Sequence, residues 1–302
     1  MTAMLGPEMT EPPAIFLLAN DRVLANVVQL LYSLRLHQFK NKVFYIPFNG
    51  ETYFLNKAFQ SFEVQRYDFD IDRVDALAHK IYDADPPAKP YPYCLGKLRK
   101  LSFLTFPEPA VYLDADCIVT SKPELFNEVF TVSSTAIGYI NTSPDGVYED
   151  VPEAAELRSR STFLTSGMIA KSGAVVRIEE LERFFDDGTI ERYHKVRRRD
   201  GYVDQPLWNF LVDSEFLPAV DLLAGARASR VTSVAGELSL HADGSAYVAG
   251  SPVLLLHLAG PALKNTARYR FLLDGMLLGG LRQIAPHSDK GSGEMYDFIF
   301  TR

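Results

Sequence analysis

The segment AVYLDADCIV contains two carboxylates, Asp114 and Asp116, one residue apart at the end of an apolar run. If the chain stays extended, side chains at i and i+2 point the same way, so the two negative charges repel each other. A divalent cation would remove this repulsion. Mg²⁺ and Mn²⁺ prefer oxygen ligands and are usually held by one or two carboxylates and substrate phosphates. The alternative interpretation is a turn or helix cap, in which Asp is common.

Lys97 is the second candidate for chemistry. It lies in the helix-like segment CLGKLRKLSFLTF, beside a stripe of leucines at helical spacing, which favours an anionic partner for its ammonium group. Arg99 is expected to project nearly opposite. The alternative is that the stem of Lys97 covers apolar surface while its charged end reaches water.

Three further segments contain polar residues at the ends of apolar runs. SPVLLLHLAG leads to His257, which is either a metal ligand or a hydrogen-bonded structural histidine. YVDQPLWNFLV predicts a helix that begins near Asp204 and Gln205, and Asp204 is either functional or a helix cap. STFLTSGMIAKSG, which includes Ser166, is predicted to be a turn rich in small residues.

These residues need a scaffold, and the hydrophobic pattern predicts one. AIFLLA (14–19) has the length of a buried strand, and a helix with one apolar face follows it. Further strands are predicted at 42–48, 62–69 and 110–116. Strands that alternate with helices predict an α/β fold with a largely parallel sheet, whose ligands bind at the carboxyl ends of the strands.

The 302 residues predict one domain at 14–282, between a loose N-terminal tail (1–13) and a C-terminal tail (283–302). With 31 basic and 38 acidic residues the net charge is −7, which disfavours nucleic acid as a partner. Two cysteines and the lack of a secretory leader favour a cytoplasmic protein without disulfides. Apolar stretches are shorter than the ~20 residues of a transmembrane segment.

The order of these motifs resembles glycosyltransferase family 8, the glycogenin and bacterial galactosyltransferase group, from about residue 14 to about residue 264. The matching segments are LLAND, GKLRKLSFL, DAD, TSG, DQPLWN and HLAGPALK. The resemblance implies a single A-type glycosyltransferase domain with a Rossmann-like nucleotide-binding half. Two positions depart from the family pattern: Thr165 replaces the usual Asn, and Lys264 is seven rather than six residues after His257.

The resemblance also implies an activity, the transfer of a hexose from a uridine diphosphate (UDP) sugar to an acceptor with retention of anomeric configuration. It implies Mn²⁺ or Mg²⁺ bound by Asp114, Asp116 and His257. Asp204 and Gln205 would lie beside the sugar and act in catalysis, by stabilising an oxocarbenium-like centre or by attacking it. Contacts with the donor are implied for Ala19, Asn20, Asp21, Lys97, Asp114, Ala115, Ser166, Gly260 and Lys264.

Other functions stay open at this stage. The segment VYLDADCIV also resembles the first motif of haloacid-dehalogenase-type phosphatases, in which the first Asp, here Asp114, is the nucleophile. A protein that binds a sugar nucleotide without turnover is a third alternative.

The acceptor is undefined: a saccharide, a lipid-linked glycan or a small molecule. The arginines at 197–199 form either a solvated loop or a site for an anionic acceptor or membrane surface. The predicted amphipathic helix at 265–284 either covers the sheet or docks a lipid-linked acceptor or a second subunit.

Overall fold

The computed structural model describes residues 11–83, 89–141, 147–159, 164–199, 203–222, 231–232, 238–241, 243–248, 250–258, 267–284 and 299. The strands in these residues are β1 Ala14–Ala19, β2 Val43–Pro47, β3 Gln65–Arg66, β4 Ala110–Leu113, β5 Cys117–Val119, β6 Ile137–Asn141, β7 Leu164–Lys171, β8 Ala219–Asp221, β9 Val231–Thr232, β10 Leu238–Leu240, β11 Ala246–Val248, β12 Ser251–Val253 and β13 Leu255–His257.

The central sheet has seven strands in the order β3-β2-β1-β4-β7-β6-β8. Strands β3, β2, β1 and β4 are parallel, whereas β7 runs antiparallel to both β4 and β6. Two three-stranded sheets, β10-β11-β12 and β5-β13-β9, complete the described strands. The predicted α/β fold with a mostly parallel sheet is confirmed.

Ten α-helices lie in the described residues: α1 Leu24–Leu36, α2 Tyr53–Phe62, α3 Ile71–Tyr82, α4 Tyr91–Leu98, α5 Pro123–Phe130, α6 Ala155–Ser159, α7 Ile178–Phe184, α8 Asp187–Val196, α9 Gln205–Asp213 and α10 Ala267–Ile284. Short 3-10 helices are formed by Asp21–Val23, Arg99–Thr105 and Pro152–Ala154. Every residue of β1 is buried, as expected for a central strand between two layers of helices.

Helix α10 packs against α1, so the predicted C-terminal helix covers the core. Its buried residues Leu273, Leu277 and Leu281 face the interior rather than solvent. Gly279 permits the close approach of the two helices, because an added Cβ atom would overlap the ring of Tyr32 on α1. Because the apolar side of α10 packs on the core, this helix is not favoured as a docking site for a lipid-linked acceptor or a second subunit. Among the described residues, no helix combines the length and the apolar character that a membrane span requires.

The structure corrects three predictions of secondary structure. The predicted turn rich in small residues is strand β7 from Leu164 onward, because it lies between β4 and β6 and pairs with both. The predicted third strand is reduced to Gln65–Arg66, and Phe62 belongs instead to α2. The predicted helix at 94–106 is instead an α-helix that begins at Tyr91 and changes to a 3-10 helix at Arg99. The domain boundaries stay a prediction.

Candidate functional site

Asp114 and Asp116 lie at the carboxyl end of β4, in a tight turn that leads into β5. The Cys117 amide donates to the Asp114 carbonyl at 3.0 Å. Strand β5 then pairs antiparallel with β13, and Cys117 lies opposite His257 in this register. The amide of Leu258 also donates to the Asp116 carbonyl at 3.0 Å. Sheet pairing therefore brings His257 beside the two carboxylates, which are distant from it in sequence.

His257 is close enough to each of the two predicted carboxylate ligands for the pair to share one ion. His257 Nε2 lies 3.4 Å from Asp116 Oδ1 and 4.0 Å from Asp114 Oδ2. An ion that binds each ligand at about 2.1 Å needs ligand atoms no more than about 4.2 Å apart. Two carboxylates and an imidazole form a donor set that suits Mn²⁺. The chemistry of these three donors, and the distance from His257 to each carboxylate, therefore fit a divalent cation.

Cys117 is a competing ligand, since ligand atoms of Asp116, Cys117 and His257 all lie within 4.8 Å of one another. The thiol is fully buried, and burial raises its pKa well above the usual value. A thiol that keeps its proton is a poor ligand, and Mn²⁺ or Mg²⁺ prefers oxygen. We therefore favour Asp114 over Cys117 as the third ligand.

The charges around these ligands shift their pKa values in opposite directions. Burial alone would raise the pKa of Asp114, but the nearby ammonium groups of Lys100 and Lys97 outweigh it and hold the pKa below its usual value. Burial lowers the pKa of His257, but the carboxylates of Asp116 and Asp114 more than offset it, and the pKa is raised. The site therefore keeps Asp114 ionised.

Lys100 is a site residue that the sequence analysis missed. Its side chain is 0% exposed, and its Nζ lies 2.5 Å from Asp204 Oδ2 and 3.6 Å from Asp114 Oδ1. The ammonium also lies 4.5 Å from the centre of the Tyr112 ring. The Tyr112 hydroxyl in turn donates to Asp114 Oδ1 at 2.8 Å. A fully buried ammonium thus connects carboxylates from two separate elements.

A signal for Lys100 was present in the sequence. It follows Lys97 by three residues, and this spacing places two side chains on neighbouring positions of one helix face. Lys97 itself is half-buried, and the charge of Asp204 raises its pKa despite the opposing effect of burial. Arg99, between them, pairs with Asp75 of α3 at 2.6 Å. The two lysines therefore share the anionic site, and the arginine does not.

The position of α4, which carries Lys97, depends on a glycine. A Cβ atom added at Gly96 would lie 2.7 Å from two ring carbons of Phe48, Cε1 and Cζ, and 2.7 Å from its backbone oxygen. Because no side chain fits there, glycine lets α4 pack directly on the end of β2. This packing places Lys97 at the same edge of the sheet as Asp114.

Asp204 immediately precedes α9, but its side chain makes no capping hydrogen bond to the helix. It is 7% exposed and accepts instead from Lys100. Burial would raise its pKa, but Lys100 and Lys97 outweigh that effect and lower it. This geometry favours a functional role over a helix cap. Gln205 is the half-buried first residue of α9.

A cavity of about 810 Å³ opens beside this cluster, at the carboxyl ends of β1, β2 and β4. The predicted donor-binding or metal-binding residues that line it are Ala19, Asn20, Lys97, Asp114, Ala115 and Asp116. Phe48 and Tyr93, whose ring centres are 5.6 Å apart, form an aromatic wall that the sequence analysis also missed. The volume is in the range of small-molecule and cofactor sites.

The other predicted donor-binding residues lie elsewhere or are not fully described. Asp21 turns away toward α2, where its Oδ1 accepts from the amide of Leu55 at 2.9 Å. The backbone of Ser166 is part of β7, and its contact with a donor stays a prediction. Gly260 and Lys264 lie outside the described residues.

The arginine cluster at 197–199 is divided by the fold. Arg197 is 2% exposed, and its guanidinium lies 5.6 Å from the ring centre of Tyr82 and 5.8 Å from that of Tyr193. Arg198 is half-buried, and Arg199 is exposed. Arg197 is therefore a core residue rather than part of a solvated loop, which weakens the interpretation of this segment as a surface for anions.

Comparisons with solved structures identify the fold. The galactosyltransferase LgtC, in complex with donor and acceptor sugar analogs, matches with a TM-score of 0.56 and 14% sequence identity over 87% of this chain and 95% of that chain. An active-site mutant of LgtC matches with a TM-score of 0.52, at the same identity and coverage. No family model matches the sequence, and no curated protein matches it.

The chain therefore has the A-type glycosyltransferase fold, as predicted. At this identity the similarity shows the fold alone, and function has to be argued from the site. In haloacid-dehalogenase-type phosphatases the first motif usually lies on an early strand, whereas Asp114 follows the fourth strand of this chain, which disfavours the phosphatase interpretation.

Proposed function

We propose that this protein is a metal-dependent glycosyltransferase that transfers a hexose from a UDP-sugar to an acceptor. The observation that carries the proposal is that His257 lies within 4.0 Å of carboxylate oxygens of both Asp114 and Asp116, beside a large cavity at the carboxyl edge of the sheet. Ligands of open α/β sheets bind at this edge. The A-type glycosyltransferase fold is consistent with the proposal.

Transfer requires the bond between the sugar and the diphosphate to break, and negative charge develops on the departing diphosphate. A bound Mn²⁺ or Mg²⁺ would supply positive charge to the diphosphate oxygens. Lys97 lines the same cavity and adds an ammonium group there. Groups aimed at developing charge stabilise the transition state more than the ground state. Asn20 and Ala19, at the end of β1, would lie beside the nucleoside.

Asp204 is proposed to act on the sugar. A carboxylate 2.5 Å from a buried ammonium is strongly stabilised as an anion, which lowers its tendency to form a covalent bond. We therefore favour electrostatic stabilisation of an oxocarbenium-like centre by Asp204 over nucleophilic attack. Retention would then require the acceptor to attack from the face that the diphosphate leaves. Gln205 is proposed to contact the same sugar.

The test is to incubate the purified protein with a panel of nucleotide sugars and Mn²⁺. A transferase should release UDP slowly from its donor by hydrolysis even without an acceptor, and Asp116→Asn should not. Release of inorganic phosphate from small phosphate esters, without a nucleotide product, would contradict the proposal and favour the phosphatase. UDP-sugar binding without any release would favour a binding protein.

Stereochemistry is tested once an acceptor is found by screening saccharides, lipid-linked glycans and small molecules. The anomeric coupling constant of the product in proton NMR reports its configuration. Retention is expected, and an inverted product would contradict the proposed mechanism even if the donor is a UDP-sugar.

A further inference from the structure

Lys100 occupies a position that the proposed donor and metal contacts do not explain. It is fully buried and lies in the 3-10 helix Arg99–Thr105, whereas Asp114 follows β4 and Asp204 precedes α9. Its Nζ lies between these two carboxylates, 3.6 Å from Asp114 Oδ1 and 2.5 Å from Asp204 Oδ2. We propose that Lys100 is a positioning residue that couples the metal side of the site to the sugar side; this inference rests on the proposed function.

The burial of Lys100 needs compensation. Removing an ammonium from water is unfavourable unless well-placed partners restore its interactions. The partners here are two carboxylates and the face of the Tyr112 ring, whose centre is 4.5 Å away. An apolar residue would fill the same space without this cost. The ion pairs therefore indicate that the position of the Lys100 ammonium between the two carboxylates has a role beyond filling space.

Lys100 and Tyr112 also distinguish the two oxygens of Asp114. Oδ1 accepts from the Tyr112 hydroxyl at 2.8 Å and faces Lys100, whereas Oδ2 faces His257 Nε2 at 4.0 Å. With Oδ1 held in this way, Oδ2 points toward the proposed metal position. A ligand whose second oxygen is fixed by neighbouring groups is oriented before the ligand binds.

On the sugar side, Lys100 determines where the charge of Asp204 lies. Without the ammonium, the buried carboxylate of Asp204 and the half-buried carboxylate of Asp114 would repel each other across the position that Lys100 now occupies. The Asp204 side chain would then turn away from its present position. Misplacement of about 1 Å at a reacting centre can cost about a hundredfold in rate. Lys100 therefore acts on the reaction through Asp204, without a contact to the sugar.

A double-mutant cycle on donor hydrolysis tests this coupling. Lys100→Met and Asp204→Asn should each lower kcat for UDP release about a hundredfold, with a smaller change in KM. If Lys100 acts through Asp204, the double variant should be no slower than the slower single variant. Independent roles would instead multiply to about a ten-thousandfold loss, which would overturn the proposal.

The matched control is Lys171→Met, which removes a second buried lysine that donates to carbonyls instead of carboxylates. Its kcat should stay within about twofold of wild type at temperatures below its unfolding transition, as expected for a substitution outside the site. If Lys100→Met does not fold, Asp204→Asn is compared with the double variant, in which no unpaired charge remains at these two positions. Equal rates support the coupling, and a further hundredfold loss overturns it.

The outcomes separate this inference from the proposed function. A wild-type protein that releases no UDP from any nucleotide sugar would overturn the function and with it the role of Lys100. A wild-type protein that releases UDP, together with a Lys100→Met variant of unchanged kcat, would overturn the role of Lys100 alone.

Discussion

Lys100 and Lys171 are buried to almost the same extent but lie in different parts of the molecule. Lys100 is 0% exposed and Lys171 is 1% exposed. Lys100 lies among carboxylates at the carboxyl end of β4, whereas Lys171 lies opposite Ala110, the first residue of that strand. The Nζ of Lys171 donates to the carbonyls of Phe106, Glu108 and Gly173 at 2.5, 3.0 and 2.9 Å.

The comparison shows that burial of a charged side chain does not by itself indicate function. Three carbonyls around Lys171 belong to loops at the far edge of the sheet, so this lysine connects loops. The carboxylates around Lys100 come from the candidate site, and they carry the negative charge that a bound cation would meet. The chemical kind of the partner, rather than the extent of burial, separates the two roles.

The largest expected effect on turnover comes from replacing Asp116, one of the proposed metal ligands. Asp116→Asn should lower UDP release from the donor about a thousandfold, because it removes a proposed metal ligand. The side chain is 22% exposed and empties no core space, so the melting temperature should change little. A variant with wild-type turnover would show that Asp116 is not a ligand.

A second prediction compares two buried aspartates at the two ends of helix α9: Asp204, which precedes it, and Asp213, its last residue. Asp204→Asn should lower kcat about a hundredfold. Asp213, at the other end of the helix, accepts from the Tyr148 hydroxyl at 2.6 Å. Asp213→Asn should instead keep kcat within about twofold and lower the free energy of unfolding by about 1 kcal/mol, because it weakens one hydrogen bond. Equal effects of the two variants on kcat would remove the distinction between site and scaffold.

A third prediction concerns stability at the two lysines. Lys100→Met should lower the free energy of unfolding by about 3–5 kcal/mol, because it removes the ammonium paired with the buried Asp204 carboxylate. Lys171→Met should cost about 1–3 kcal/mol, because carbonyl groups are left without a donor. Urea unfolding measures both values. A larger loss of unfolding free energy for Lys171→Met than for Lys100→Met would contradict this prediction.

A fourth prediction, which leaves activity unchanged, concerns the pH dependence of stability at Lys171. Burial lowers its pKa from 10.5 to about 7. Between these two values the unfolded chain binds more protons than the folded chain, so stability increases as the pH rises. From pH 7 to 9, wild type should gain up to about 1.4 kcal/mol per pH unit relative to Lys171→Met. Equal slopes would mean that the three carbonyls keep the ammonium charged.

Much of the fold could be predicted from the sequence. The buried strand at 14–19 and the amphipathic helix after it are correct because their hydrophobic periods are local properties of the chain. The segment around Ser166 was predicted incorrectly as a turn, because small residues also fit a strand that is enclosed by β4 and β6. Local composition does not contain that tertiary pairing.

The candidate site shows the same difference between features encoded in local sequence and features that depend on tertiary structure. The sequence predicted Asp114, Asp116 and His257 as site residues, and the pairing of β5 with β13 brings His257 beside the two carboxylates. It missed Lys100, because a lysine in a mixed apolar and basic segment is usually a surface residue. The proposed role of Lys100 depends on its ion pair with Asp204, which precedes α9 and is distant in sequence.

Calorimetric titration of UDP tests the central claim, a metal-assisted sugar-nucleotide site beside β4, most directly. The titration is performed with Mn²⁺ and, in parallel, with an excess of chelator, for wild type and Asp116→Asn. We predict binding to wild type with Mn²⁺, and a loss of at least about tenfold in affinity after chelation or in the variant. Equal affinity for UDP with Mn²⁺ and with chelator would contradict the account.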